Sequence, residues 1–223
     1  MNKYEIVRRI EAFAPLETQE KWDSSGWGVE TEKKEIKKIL FALTVTDKIV
    51  EQALNLECDM IISHHPLFFV PLEYKNIDIY SAHTNLDRAE GGTTDCIIEE
   101  LGLKKSKNLD FVRLVELEEE ISTEDFKQKL QKISPKLRYV NNYDKKTIKS
   151  AAFCAGSGSE FIDKTEADAF VTGDLKFHTA LDSKQIVFDI GHFESEIFAP
   201  KLLSKIVGEE VEKVIADEKS PFI

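Results

Sequence analysis

Five histidines occur in the chain, at 64, 65, 83, 178 and 192, and each follows or adjoins a short apolar run. His64 and His65 come directly after Met60-Ile61-Ile62-Ser63, and Pro66 then turns the chain. His83 and Asp87 are four residues apart after Ile79-Tyr80-Ser81-Ala82, and His192 and Glu196 are four apart after Ile186 to Ile190. Imidazole and carboxylate without thiolate suit Zn, Fe, Mn, Co or Ni better than Ca or Mg. Neighbouring side chains in a strand point opposite ways, so His64 and His65 reach one site only where the strand breaks or where two metals sit side by side. His64, His65, Asp87, His192 and Glu196 are therefore the expected ligands of two divalent transition-metal ions. Five protein ligands suffice for two ions if a carboxylate and a water bridge them, about 3.5–4 Å apart, where they activate water and polarise a substrate oxygen.

Three further residues are candidates for catalytic work. Asp174 and His178, in Gly173-Asp174-Leu175-Lys176-Phe177-His178, read either as orienting and acid–base groups or as a helix N-cap with a surface histidine. His83 reads as an orienter, a substrate contact or an additional ligand. Gly91-Gly92-Thr93-Thr94 resembles an anion-binding turn, but it lacks GxGxxG or Walker spacing. No GxSxG elbow is present.

The elements that must position these groups follow from periodicity. Ile6, Ile10 and Phe13 fall on one face of a first helix that Pro15 ends. Trp22-Asp23-Ser24-Ser25-Gly26-Trp27-Gly28 reads as a packed, shaped loop. Ile39 to Val45 is a continuous apolar run of the kind buried on both faces of a sheet. A helix is predicted over 47–56 with Asp47 as N-cap, another over 94–101 stopped by Gly102, and a last one from about Glu194 through Val207. Strands at 60–63, 78–82, 151–155, 169–172 and 186–190 alternate with these helices, which predicts an α/β fold with a largely parallel sheet. The charged stretch 112–149 reads as a connection with one helix near Phe126, Leu130 and Ile133.

The second half repeats the first at an offset of 109 residues. Lys37–Arg88 laid over Lys146–Ile197 without gaps pairs Ile39 with Ile148, Asp59 with Asp168, and His83 with His192. His83-x-x-x-Asp87 then falls on His192-x-x-x-Glu196. The expected organisation is a first α/β half over 1–110, a short connecting segment over 111–145 and a second half over 146–223. Ligands in open α/β sheets bind at the carboxyl ends of strands, so two such halves would pool their clusters at a pseudo-symmetric seam.

Composition bounds the remaining possibilities. The 223 residues carry a formal net charge of -11, which argues against a non-specific grip on nucleic acid. An anionic substrate would need local positive charge, which divalent metals supply. No signal-peptide core or membrane-length apolar run is present, so a cytoplasmic protein without membrane contact is expected. Cys58, Cys96 and Cys154 show no CxxC pairing and read as buried reduced thiols.

Ser63-His64-His65-Pro66-Leu67-Phe68-Phe69, His83-Thr84-Asn85-Leu86-Asp87, Gly173-Asp174 and Gly191-His192-Phe193-Glu194-Ser195-Glu196 resemble the dinuclear-metal family called GTP cyclohydrolase I type 2, or Nif-three-like. Trp22-Asp23-x-x-Gly26 and Thr44-Val45-Thr46-Asp47 match it too, and the order is kept over nearly the whole chain. The resemblance implies a duplicated three-layer α/β/α fold, two metals held by the five residues above, and a toroidal homohexamer. It also implies a short member without the large inserted domain. Ser24, Ser25 and Trp27 depart from the family's usual Trp-Asp-Asn-x-Gly-Leu loop. The function implied is a metal-dependent hydrolase of a small anionic, possibly nucleotide-like substrate. The alternative is a non-catalytic metal-binding or regulatory assembly acting through protein contacts.

Overall fold

A computed structural model describes residues 1–222. In chain order its elements are α1 (Lys3–Phe13), β1 (Gly26–Val29), β2 (Lys38–Thr44), α2 (Asp47–Asn55), β3 (Met60–His65), β4 (Asp78–Ser81), α3 (Thr84–Arg88), α4 (Thr93–Glu100), β5 (Lys107–Leu109), β6 (Val112–Ser122), α5 (Thr123–Leu130), β7 (Arg138–Val140), β8 (Thr147–Ser157), β9 (Ala169–Gly173), α6 (Phe177–Asp182), β10 (Ile186–Asp189), α7 (His192–Glu196), α8 (Ala199–Val207) and β11 (Glu212–Ile215). The expected α/β class holds, with two sheets in two compact units.

The first unit comprises Met1–Gly92 and Phe198–Lys219. Its sheet runs β1-β4-β3-β2-β11, parallel except for β1, which pairs antiparallel with β4. Alternation along the strands sends Leu40, Ala42, Ile61 and Ile79 to one face, where Ile49, Val50 and Ala53 of α2 cover them. Ile39, Phe41, Met60 and Ile62 are fully buried on the other face, where α8 packs across β2 and β3. Apolar residues on both faces explain why these strands read as unbroken hydrophobic runs. The cap of α2 is Thr46, whose hydroxyl accepts from the Ile49 amide; the expected cap, Asp47, is the first helical residue and accepts from the Tyr74 hydroxyl.

The second unit comprises Thr93–Ile197 and residues 220–222. Its sheet runs β5-β6-β8-β9-β10-β7, with β8, β9 and β10 parallel and the outer pairings antiparallel. Phe126 and Leu130 of α5 and Ile97, Ile98 and Leu101 cover one face, against Val115, Phe153, Val171 and Phe188.

The boundaries differ from those expected. Residues 93–110 fold with the second unit, and 198–219 return to the first, where β11 zips onto β2. The segment 111–145 is no connector: β6 pairs with β8, and β7 pairs with β10. In Val115-Glu116-Leu117-Glu118 the apolar residues face inward and the glutamates face out, the period-two pattern of a half-exposed strand. The last helix is also two. Pro200 cannot continue a helix through residue 196, because it lacks an N–H and its ring would meet that carbonyl, so α7 ends and α8 begins anew.

The duplication survives in the topology, but not without gaps. Met60 of β3 pairs with Ile39 of β2 and Asp78 of β4, whereas Ala169 of β9 pairs with Ala151 of β8 and Ile186 of β10. The equivalences are thus Ile39 with Ala151, Met60 with Ala169 and Asp78 with Ile186, at offsets of 112, 109 and 108. The larger change, from 112 to 109, arises in the connection between the first two strands of each repeat. It holds the nine-residue α2 in the first unit and a six-residue 3-10 turn, Ser159–Lys164, in the second. No helix among the described residues is long and apolar enough to cross a membrane.

Candidate metal-ligand clusters

In the first unit the sequence brings three imidazoles together. β3 carries His64 and His65 to its carboxyl end, and His83 follows β4 on the neighbouring strand. One ligand atom from each of His64, His65 and His83 lies within 4.8 Å of the others. The ring centroids are 5.0 to 5.5 Å apart.

Each ring is held through Nδ1. The Nδ1 of His64 donates to the Ala82 carbonyl at 2.8 Å, that of His65 lies 2.6 Å from the Thr44 hydroxyl, and that of His83 lies 2.8 Å from Asp23 Oδ1. A carbonyl only accepts, so Nδ1 of His64 carries the proton and its Nε2, 3.4 Å from Asp87 Oδ1, is the nitrogen whose lone pair a metal would take. Tethering of the far nitrogen by a carbonyl, hydroxyl or carboxylate is how metal-bound imidazoles are oriented. Three close imidazoles could not all be protonated without strong mutual repulsion, whereas one shared cation suits them. Cys58 lies in an apolar core, so thiolate plays no part here. The donor set fits a divalent transition metal.

Asp23 is the residue that reading the sequence undervalued. The shaped loop of two tryptophans exists to bury its carboxylate, which accepts from Ser24 N, Ser25 Oγ, Thr84 N and Thr84 Oγ1 besides His83. Burial raises a carboxyl, but the bonds from His83 and Thr84 outweigh it and hold Asp23 well below the usual carboxylate range. Asn85 completes the frame, accepting from His83 N and Ser25 Oγ and donating to Ala14 O. The local signal was an Asp followed by two serines, a pattern that favours side-chain to backbone bonding.

In the second unit the equivalent strand end carries His192, and α7 brings Glu196 back to it. His192 Nε2 lies 2.9 Å from Glu196 Oε2, and its Nδ1 lies 2.6 Å from Asp174 Oδ2. Glu196 is buried, with its side chain only 3% exposed. The bond to Glu196, opposed by burial and helped by Asp174, raises the His192 imidazole to about 9. A group so placed favours positive charge, the condition a bound cation also meets.

Two glycines make room. A Cβ on Gly173 would meet the His192 backbone at 2.8 Å, and one on Gly156 would overlap Glu196 Oε1. Gly156 also has φ of 61° and donates its amide to Ser195 Oγ at 2.9 Å. Asp174 caps no helix; it has φ of 50° and turns to His192, while Lys176 precedes α6. His178 stands exposed on α6, edge-on to Phe177, and belongs to no ligand-capable group among the described residues.

Two repeated α/β units, each with imidazole and carboxylate gathered at the carboxyl ends of parallel strands, define a duplicated fold with candidate metal-ligating side chains in both repeats. The chain belongs to the Duf34/NIF3 (NGG1p interacting factor 3) family, which it matches over residues 1–221. It is 35% identical over 246 aligned positions to a Campylobacter jejuni protein named GTP cyclohydrolase 1 type 2 homolog, covering 100% of this chain and 99% of that one. It is 30% identical to the Helicobacter pylori protein named GTP cyclohydrolase 1 type 2, covering 86% of each. Among solved structures, TTHA1606 from Thermus thermophilus superposes with a TM-score of 0.88 at 24% identity over the whole of both chains.

Proposed function

We propose that His64, His65 and Asp87 together with His192 and Glu196 hold two divalent transition-metal ions at one centre. On this reading the chain is a metal-dependent hydrolase of a small anionic, nucleotide-like substrate. The Nδ1-tethered pair His64 and His65 at the end of β3, with Asp87 Oδ1 3.4 Å from His64 Nε2, carries the proposal. His192 and Glu196 alone are fewer than the three protein ligands such ions take in catalytic sites, which argues for a shared centre. When bound, a pair of such ions supplies Lewis acidity toward a substrate oxygen and lowers the pKa of water.

The chain's own residues have separate tasks in this scheme. Asp174 fixes the tautomer and ring direction of His192. Asp23 fixes His83, whose Nε2 is then the atom that takes or returns a proton beside the centre. His178, exposed on α6, is the remaining acid–base candidate of this scheme. The names of the relatives suggest GTP as substrate, with hydrolytic opening of the purine imidazole ring at C8. Self-association as a homohexamer and a cytoplasmic location complete the proposal; light-scattering mass in solution tests the first and cell fractionation the second.

The deciding experiment measures metal content by plasma mass spectrometry and steady-state turnover of GTP and a phosphoester panel. The wild type should bind two ions per chain and turn over a substrate, and a His64→Ala/Glu196→Ala variant should do neither. Equal rates in the two proteins would sink the hydrolase reading. Two tightly held ions with no turnover on any substrate would instead favour a non-catalytic metal-binding assembly.

A further inference from the structure

The second unit carries a half-open cavity of about 670 Å³ next to His192, within the range of small-molecule sites. Its base is the carboxyl end of β10 with Asp174, and its wall is the segment 134–138 that leads into β7. The charges lining it are unequal in what they have left to give. Asp189 is engaged by Arg138 and by the Gly191 amide, and Asp174 by His192. Lys136, Arg138 and Glu194 are the other charged residues that line it, and Arg138 has N–H groups beyond the one that Asp189 takes. Leu137 and Ile190 supply apolar surface, and Phe222 presents a ring that is 81% exposed. Two cations, a flat apolar face and one carboxylate acceptor match the parts of a nucleoside phosphate.

We propose that this cavity binds the nucleoside phosphate on which the centre acts, with its phosphates on Lys136 and Arg138, its heterocycle against Phe222 and Leu137, and its amino edge on Glu194. The inference rests on the proposed function for its placement beside the reactive centre. It adds the residues that would select the substrate, none of which is a metal ligand. Arg and Lys differ in what they give here: the guanidinium fork bridges Asp189 and a phosphate oxygen, whereas the ammonium acts as a point charge. Stacking on an aromatic ring is tolerant of base identity, so Glu194 is the group that distinguishes an amino-bearing purine from others.

The test is titration calorimetry of metal-loaded full-length protein with GTP and, separately, with inorganic triphosphate. Lys136→Glu should weaken both at least about ten-fold by reversing a phosphate contact. Phe222→Ala should weaken GTP by about ten-fold and leave triphosphate unchanged, since only the heterocycle stacks. Both side chains are exposed, so metal content and melting temperature should match the wild type. Wild-type affinity in both variants would overturn the proposal. So would a wild type that holds two ions yet binds no GTP, an outcome that spares the metal reading. Protein that binds GTP in this variant-sensitive way but holds no metal would uphold the cavity and refute the centre.

Discussion

Alanine at Gly156 separates a ligand effect from a folding effect. The backbone there has φ of 61°, where a residue with a Cβ costs roughly 1–2 kcal/mol. The new Cβ would also overlap Glu196 Oε1, lie 3.3 Å from its Cδ and 3.6 Å from His192 Cε1. The backbone cannot retreat without giving up the 2.9 Å bond from the Gly156 amide to Ser195 Oγ. Glu196 must therefore swing, and at 3% exposure its carboxylate has no water to swing into. The strain alone should lower the melting temperature by roughly 2–8 °C for a chain of this size. Displacement of Glu196 should weaken metal binding by at least about 10–100-fold, the range found for losing a group that merely supports a ligand. Gly102→Ala is the control, because Gly102 has φ of 65° and nothing within 4 Å of its added Cβ. It should show the thermal loss without the metal loss. Calorimetric metal titration and thermal melts of both variants decide the matter. Full metal affinity in Gly156→Ala would refute the reasoning.

Three further outcomes follow from the geometry. In chelated protein the His192 imidazole should titrate near pH 9 by proton NMR; because that value is raised, its stabilising contribution is complete below about pH 6.5 and fades as pH climbs through 9. Asp174→Asn should lower that midpoint, and an unchanged one would show that Asp174 exerts no hold on the ring. Asp23→Asn should destabilise the chain by about 2 kcal/mol in urea melts, because an amide nitrogen would face donors that now meet a carboxylate. Lys3→Met should cost about 3–5 kcal/mol, since it would leave Asp78 buried without its cation, with both side chains now at 0% exposure.

The residues that gather at the strand ends were legible because two strong signals coincide there. An apolar run fixes the strand, and a histidine after it fixes the end. His64-His65-Pro66 and Gly191-His192 are both of this kind. What escaped was anything set by pairing partners remote in sequence. The three-residue slip between β2 and β8 depends on how many residues the intervening turn uses, which hydrophobicity does not report. β6 hid because four glutamates, three of them consecutive, interrupt its five apolar residues and make the stretch read as charged. Asp23 hid because its importance lies in five donors, two of them from Thr84, sixty residues away. Thr44, which holds His65, sat inside what looked like a plain buried strand.

The return of β11 and α8 to the first unit sets an order for synthesis on the ribosome. All six strands of the second sheet lie between residues 107 and 189, so that sheet can close while the chain is still emerging. The first sheet cannot. Until residues 199–215 appear, β2 is an unpaired edge rich in Ile39, Leu40 and Phe41, and the face under α8 stands uncovered. The earlier-made half is therefore the later-finished one. A nascent chain stalled or truncated near residue 198 would present a sticky, edge-exposed strand, the state in which chaperones would find it and aggregation would begin.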